Sequence, residues 1–302
     1  MLHLPTLRQL QFLCALADHG SFSRAAEACL VAQPTLSAAI KEVETTVGAV
    51  LVERGARGTR LTKAGEAAVE RARRVLAETE ELVAVTRGAA APLTGPFRLG
   101  AIPTIAPFVL PGLMTALQTD YPDLKLYLRE EKTGNLLDGL RNRTLDAAII
   151  ALPWPTPGIE TETVADDPFL LALPQGHRFI DNPPVTPRDL EGETMLLLEE
   201  GHCLRGHALS VCSMPGIDRL DDLSATSLQT MIQMVGGGIG ISLVPELAAR
   251  SNITAGTGVT LREFRGEKVG RSICLSWRSG SSRESEALLI AQMARERLKG
   301  KP

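Results

Sequence analysis

The chain has 302 residues, room for two or three domains of ordinary size, and its 44% hydrophobic and 22% charged residues are in globular proportions. Its net charge of -3 gives no global sign of nucleic-acid binding, so a DNA-reading module has to be sought in local charge. No basic stretch leads into an apolar core, no run approaches about 18 apolar residues, and five cysteines are an odd set, which argues against a signal peptide, a membrane span or a secreted disulfide framework and for the cytoplasm.

Leu7, Leu10, Leu13, Cys14 and Ala17 recur at three- and four-residue intervals, the apolar stripe of a helix that Thr6 can cap and Gly20 can stop. A second helix is predicted from about Phe22 to Leu30, with Ser21 as N-cap and a small face of Ala25, Ala26 and Ala28 that permits close contact. The third opens at Gln33-Pro34-Thr35-Leu36-Ser37, with Pro34 expected at the first helical position, where its missing N–H is no loss, and runs to Gly48. Its apolar set Leu36, Ile40, Val43 and Val47 should face inward, leaving Gln33, Thr35, Ser37 and Lys41 on or near the opposite side. Short hydrogen-bonding side chains at the front of the second helix of a helix-turn-helix suit a DNA major groove.

Two short apolar segments then flank a tip rich in Arg and Gly, running from Leu51 to Thr62, and read as a wing. Residues 1–65 hold seven basic and five acidic side chains, a local charge of +2, and three of the seven bases lie in the wing, a phosphate-contact pattern. The DNA-contacting candidates are Gln33, Pro34, Thr35, Ser37, Lys41, Arg54 and Arg57, with double-stranded DNA as the expected partner. From Thr62, a good N-cap, a proline-free pattern from about Lys63 to Arg87 sets Ala68, Ala72, Val75, Leu76, Leu82, Val83 and Val85 among Glu and Arg, a long helix suited to pairing with a second copy. Gly88 to Pro96 breaks the periodicity and marks a hinge.

Beyond the hinge, strand-like and helical runs alternate: strands at Phe97 to Ile102, Leu124 to Arg129 and Asp146 to Leu152, with helices near Pro107 to Thr119 and Leu136 to Asn142. A second set has strands near Phe169 to Leu173, Met195 to Leu198 and Ile241 to Val244, and a helix opened by a capping box at Thr226-Ser227-Leu228-Gln229. A strand at Ile273 to Trp277 and a helix from about Glu284 to Leu298 should return to the first set. This alternation predicts a doubly wound α/β domain of two lobes with a cleft, the usual ligand position. Gly236-Gly237-Gly238-Ile239-Gly240 follows a helix and precedes a strand, the reverse of a dinucleotide fingerprint, and reads as a helix end and turn.

Cys203 and Cys212 stand nine positions apart, with cationic groups beside the first. If the residues between are helical, their Cα atoms lie about 13 Å apart, whereas a disulfide needs about 7 Å or less, so oxidation of the pair would force the helix to unwind or shift. Two ordinary buried cysteines fit the same pattern, since free Cys is among the most buried residue types. Cys14 and Cys29 on apolar helix faces and Cys274 in a strand read as packing residues.

Gln33-Pro34-Thr35-Leu36-Ser37, Leu51-Val52-Glu53-Arg54 and Leu61-Thr62-Lys63-Ala64-Gly65 together resemble the signature of LysR-type transcriptional regulators. Gly201-His202-Cys203-Leu204-Arg205, followed by Cys212, resembles the hydrogen peroxide-sensing branch of that family, and the likeness spans essentially the whole chain. The resemblance implies a winged helix-turn-helix (residues 1–62), a linker helix and hinge (63–95), and a two-lobed, periplasmic-binding-protein-like α/β regulatory domain (96–302). Lobe I is expected at about 96–167 and 270–302, and lobe II at about 168–269.

The same resemblance implies that Cys203 is the peroxidatic thiol and Cys212 the resolving one, with Thr104, Thr133, His202 and Arg271 in support. Thiolate is the nucleophile in such chemistry; Cys203 would become a sulfenic acid and condense with Cys212. The implied partners are DNA, hydrogen peroxide, RNA polymerase and further copies of the chain as a dimer and tetramer; no cofactor, metal or enzymatic turnover is implied. Each supporting residue also has a plainer reading: Thr104 as a helix cap, Thr133 as a strand end, Arg271 as the partner of an acid. Between the cysteines the chain departs from the family pattern with Gly206 and His207, and Gly206 should weaken the helix by up to about 1 kcal/mol relative to Ala, giving a readier switch. Three rivals remain open: Cys203, His207 and Cys212, with or without His202, as zinc or copper ligands; a small organic ligand in the cleft; and a thiol peroxidase.

Overall fold

Thr6 starts the first helix through a reciprocal cap: its hydroxyl oxygen accepts from the Gln9 N–H at 3.3 Å while the Gln9 side chain accepts from the Thr6 N–H at 2.7 Å. The computed structural model describes residues 4–55, 58–86, 92–181, 185–211, 218–266 and 269–299. They fall into two units, the first formed by residues 1–90 with 142–144 and the second by the remainder.

In the first unit, helix α1 (Leu7–His19), α2 (Phe22–Ala28) and α3 (Gln33–Val47) precede a hairpin of β1 (Val52–Gly55) and β2 (Gly58–Leu61) and the long helix α4 (Lys63–Thr86). The core is Phe12, Leu13, Leu16, Phe22, Ala25, Ala26, Leu36, Ile40 and Val43, closed by Leu51, Val52 and Val69. This corrects the predicted stripe of α1. The helix is turned so that Phe12 and Leu16 are buried, Leu7 is exposed and Leu10 is half-buried. Ala28 and Val47 also lie outside the core, and α2 ends at Ala28 rather than Leu30, because Leu30 takes a left-handed backbone (φ 55°) that no helix continues.

Thr62 caps α4 by accepting from the Gly65 N–H at 3.0 Å. Gly65 is required there, since a Cβ would lie 2.0 Å from the Leu51 carbonyl oxygen, which explains why the run from Leu61 to Gly65 ends in glycine. Val69 and Ala72 on the first turns of α4 are buried, whereas Val75, Leu82 and Val83 further along are exposed.

The second unit runs β3 (Gly95–Ala101), α5 (Ala106–Asp120), β4 (Leu124–Glu130), α6 (Thr133–Arg141), β5 (Ala147–Leu152) and β6 (Ile159–Leu173). It continues through α7 (Arg178–Asp181), a 3-10 turn (Pro187–Leu190), β7 (Thr194–Leu198), α8 (Cys203–Val211), β8 (Asp218–Ala225), α9 (Leu228–Gly236) and β9 (Ser242–Pro245). Helix α10 (Glu246–Arg250), β10 (Thr260–Arg262), β11 (Gly270–Arg278) and α11 (Glu284–Lys299) complete it. One sheet follows the order β10-β6-β11-β5-β3-β4, with β9 also paired to β6.

The sequence pattern predicts only the last third of β6, and the rest explains how two lobes arise. Residues Ile159–Pro168 pair with β11, while Phe169–Leu173 pair with β9 and β10, so one strand is shared between two separately packed cores. Its first part, Ile-Glu-Thr-Glu-Thr-Val-Ala-Asp-Asp, carries too many carboxylates to announce a strand; burial of Ile159 and Val164 against lobe I and pairing with β11 on one edge hold it extended. Polar β8, which pairs parallel with β7, escapes the sequence for the same reason. Helix α9 is capped by Ser227, whose hydroxyl oxygen accepts from the Thr230 N–H at 3.2 Å, one residue later than the expected Thr226 box. The glycine run after it is a helix end and turn, as read.

Candidate functional site

Cys203 is the first residue of α8, a helix lying between the two cores. The thiol is free and only 2% exposed, and it packs with the apolar cluster of lobe I, whereas Leu204 and Ala208 pack into lobe II. One residue step on a helix turns about 100°, so the stripe Cys203–His207 meets one lobe and the stripe Leu204–Ala208 the other. Cys212 directly follows the last helical residue and lies outside the described residues.

The turn before α8 is held from lobe I. Lys132 Nζ lies 2.7 Å from Glu199 Oε1 and donates to the Glu200 carbonyl at 2.9 Å. Gly201 has a φ of 89°, and a Cβ there would lie 2.9 Å from Lys132 Cδ, so the glycine admits both the backbone bend and the lysine stem. Next to Lys132, Thr133 opens α6, fully buried, and its hydroxyl has no hydrogen-bond partner among the described residues. A buried hydroxyl without a partner is a costly arrangement.

The second cluster is built on Arg271, at the start of β11. Its side chain is fully buried and makes three bonds: Nε to Asp167 at 2.9 Å, Nη1 to Thr104 Oγ1 at 2.7 Å and Nη2 to the Thr104 carbonyl at 3.1 Å. The other Asp167 oxygen accepts from the Leu247 N–H of α10 at 2.9 Å. Arg271 thus does pair with an acid, as burial of a guanidinium demands, and it also fixes Thr104. Thr104 does not cap α5, whose N-cap is Ile105 with no side-chain bond, and Thr133 begins a helix rather than ending a strand. With its oxygen accepting from Arg271, Thr104 keeps a hydroxyl hydrogen to donate.

His202 is buried beside Cys203 with Nε2 3.7 Å from Glu199; burial, aided by the Lys132 charge, pushes its imidazole below the usual histidine value and keeps it neutral. Lys132, hydrogen-bonded to Glu199, likewise holds that carboxyl below the ordinary carboxylate range, which keeps it charged. Lys132, Asp167 and Glu199 were not singled out from the sequence. Asp167 is the one with a prior signal, since a buried arginine requires a carboxylate. Among the described residues no group of three His, Cys, Asp or Glu side chains is placed to hold a metal ion.

In the first unit, Gln33, Pro34, Thr35 and Lys41 are exposed on α3 and Ser37 is half-buried, while Leu36, Ile40 and Val43 hold the opposite face. Arg57 and the side chain of Arg54 lie outside the described residues. No helix among the described residues is long and apolar enough to cross a membrane.

Comparison with known proteins matches residues 7–66 to the bacterial regulatory helix-turn-helix protein family of LysR type and residues 90–299 to the LysR substrate binding domain. The chain belongs to the LysR family. It is therefore a DNA-binding transcriptional regulator and not an enzyme. It is 37% identical to the DNA-binding transcriptional dual regulator OxyR of Escherichia coli K12, over 97% of this chain and 96% of that one. Full-length OxyR from Pseudomonas aeruginosa, solved as a cysteine-to-aspartate variant, superposes with a TM-score of 0.79 at 33% identity, covering 96% of this chain and 98% of that one. A hydrogen peroxide-bound cysteine-to-serine mutant of OxyR from Corynebacterium glutamicum superposes with a TM-score of 0.66 at 33% identity, over 98% and 95% of the two chains.

Proposed function

We propose that this LysR regulator senses hydrogen peroxide at Cys203. The observation that carries the reading is a free, buried thiol at the N-terminus of an inter-lobe helix, tied through the Lys132 bridge to the start of α6, which bears the unpartnered Thr133 hydroxyl. The peroxide-bound structural relative supports the same ligand. The Cys203 thiolate attacks one peroxide oxygen, the O–O bond breaks, and the departing hydroxide takes a proton to leave as water; the sulfur is oxidised by two electrons to the sulfenic acid. Thr104, Thr133 and His202 are assigned to hold the peroxide and its leaving oxygen, and Arg271 to hold Thr104.

The sulfenic acid then condenses with the Cys212 thiol, forming the disulfide and releasing a second water. Cys203 to Val211 is helical, which puts the Cα atoms of those two residues about 12 Å apart; Cys212 is one residue, about 3.8 Å, further along the chain and a disulfide needs about 7 Å or less, so α8 must unwind or shift. Because α8 is packed by both lobes, that change is passed to the regulatory domain and on to the operator. The reading divides the chain into a DNA-binding domain (1–62), a linker helix that pairs two copies (63–95) and a regulatory domain (96–302), the lobes meeting near the Pro168/Phe169 change of partner on β6. It assigns Gln33, Pro34, Thr35, Ser37, Lys41, Arg54 and Arg57 to DNA, a tetramer as the working form, RNA polymerase as a further partner and the cytoplasm as its compartment.

Brief sub-stoichiometric hydrogen peroxide followed by mass spectrometric thiol mapping tests this: the Cys203–Cys212 link should form first, and the operator footprint of the full-length protein should change with it. Persistence of the footprint change in Cys203→Ser would reject the reading and point to a small ligand in the cleft.

A further inference from the structure

His207 is buried at 4% exposure one turn beyond Cys203, on the same face of α8. Its Nε2 lies 3.0 Å from the carbonyl oxygen of Pro153, which immediately follows β5 in lobe I. Its ring stands 6.3 Å, centroid to centroid, from Phe169, the residue at which β6 passes from one lobe to the other. Burial and the nearby Arg271 charge hold its imidazole below the usual value, so the ring is neutral and Nε2 carries the proton donated to Pro153. The strand crossing at Phe169, the lobe I segment at Pro153 and the helix that bears Cys203 thereby meet at one side chain, and no step of the peroxide chemistry uses it.

Resting on the peroxide-sensing reading, we propose that His207 is a positioning residue that latches α8 to lobe I and governs the second oxidation step, condensation of the Cys203 sulfenic acid with Cys212, without touching the first. Attack on peroxide proceeds with α8 in place; condensation requires α8 to leave its seat, and the His207–Pro153 bond must break before it can. The chemistry of that step is unchanged: an S–S bond forms, the Cys203 S–O bond breaks, and the hydroxyl leaves as water with the Cys212 proton.

The test compares the full-length protein with His207→Leu, of similar bulk but with no donor, and His207→Gln, which restores an N–H. Sulfenic acid formation is followed with a carbon nucleophile in a Cys212→Ser background, and disulfide formation by rapid-quench alkylation in the parent background. His207→Leu should speed condensation roughly fivefold, equivalent to about 1 kcal/mol, with sulfenic acid formation within about twofold of the parent, and His207→Gln should restore slow condensation. Condensation in His207→Leu at the parent rate, or slowed sulfenic acid formation in it, overturns the latch while leaving peroxide sensing intact. Absence of a Cys203–Cys212 disulfide in the parent itself overturns both readings. If His207→Leu does not fold, His207→Met, likewise without a donor, takes its place: a roughly fivefold faster condensation supports the latch, and the parent rate removes it.

Discussion

Helices α3 and α8 handle their polar side chains in opposite ways. On α3, Leu36, Ile40 and Val43 are buried and Gln33, Thr35 and Lys41 remain in water, while Glu42 and Glu44, which accept from Gln9 and from the Leu51 and Val52 N–H groups, tie its later turns to the rest of the unit. On α8 the buried side chains include Cys203 and His207, with His202 directly before them, and each polar atom must find its partner in another element. The helix proposed to meet DNA follows the amphipathic rule; the helix proposed to switch breaks it, so its position depends on what surrounds it.

The sharpest test of that contrast is Arg271→Met, which leaves the buried Asp167 carboxylate without its cation and should destabilise the reduced protein by roughly 3–5 kcal/mol in urea unfolding. A loss under about 1 kcal/mol would mean that the buried Asp167 carboxylate does not depend on Arg271. Next comes pH. His202 and His207 are held below the free value of 6.5, so the unfolded chain binds protons that the folded one refuses, and stability is full above about pH 6.5 and declines as pH falls through the lowered folded values. The urea midpoint should therefore drop between pH 7.5 and 5.5, and His207→Gln should flatten the slope; an unchanged slope removes His207 from the account.

On the DNA side, Lys41→Ala should weaken operator binding about uniformly across sequences and reduce the slope of log affinity against log salt by about one, with no effect on peroxide reactivity. Any change in the rate of Cys203 oxidation would show that the two helices are not the independent elements the contrast requires. The smallest effect belongs to Gly206→Ala. Gly206 is exposed, its added Cβ meets nothing within 4 Å, and alanine should strengthen α8 by up to about 1 kcal/mol, shifting the dithiol–disulfide equilibrium toward the reduced form by up to about fivefold in a glutathione buffer.

Local chemistry was legible wherever neighbours in sequence are neighbours in space. Thr6 with Gln9, Gly20 and Gly48 at helix ends, Pro34 in a first turn, Thr62 with Gly65 and the alternation of strands and helices from β3 to β5 all follow from residues three or four apart. Cys203 was marked by its motif alone. What stayed hidden was the carboxylate-rich first part of β6, the turned face of α1 and the partners that complete the site. Arg271 and Thr104 are 167 positions apart, and Lys132 and Glu200 are 68 apart; no periodicity relates such pairs. Residue order thus determined the helix-turn-helix, the family and the sulfur at which to look. Tertiary packing alone decided that one face of α8 meets each lobe, because a buried polar atom without a partner is costly, and which partner is near depends on how the whole sheet closes.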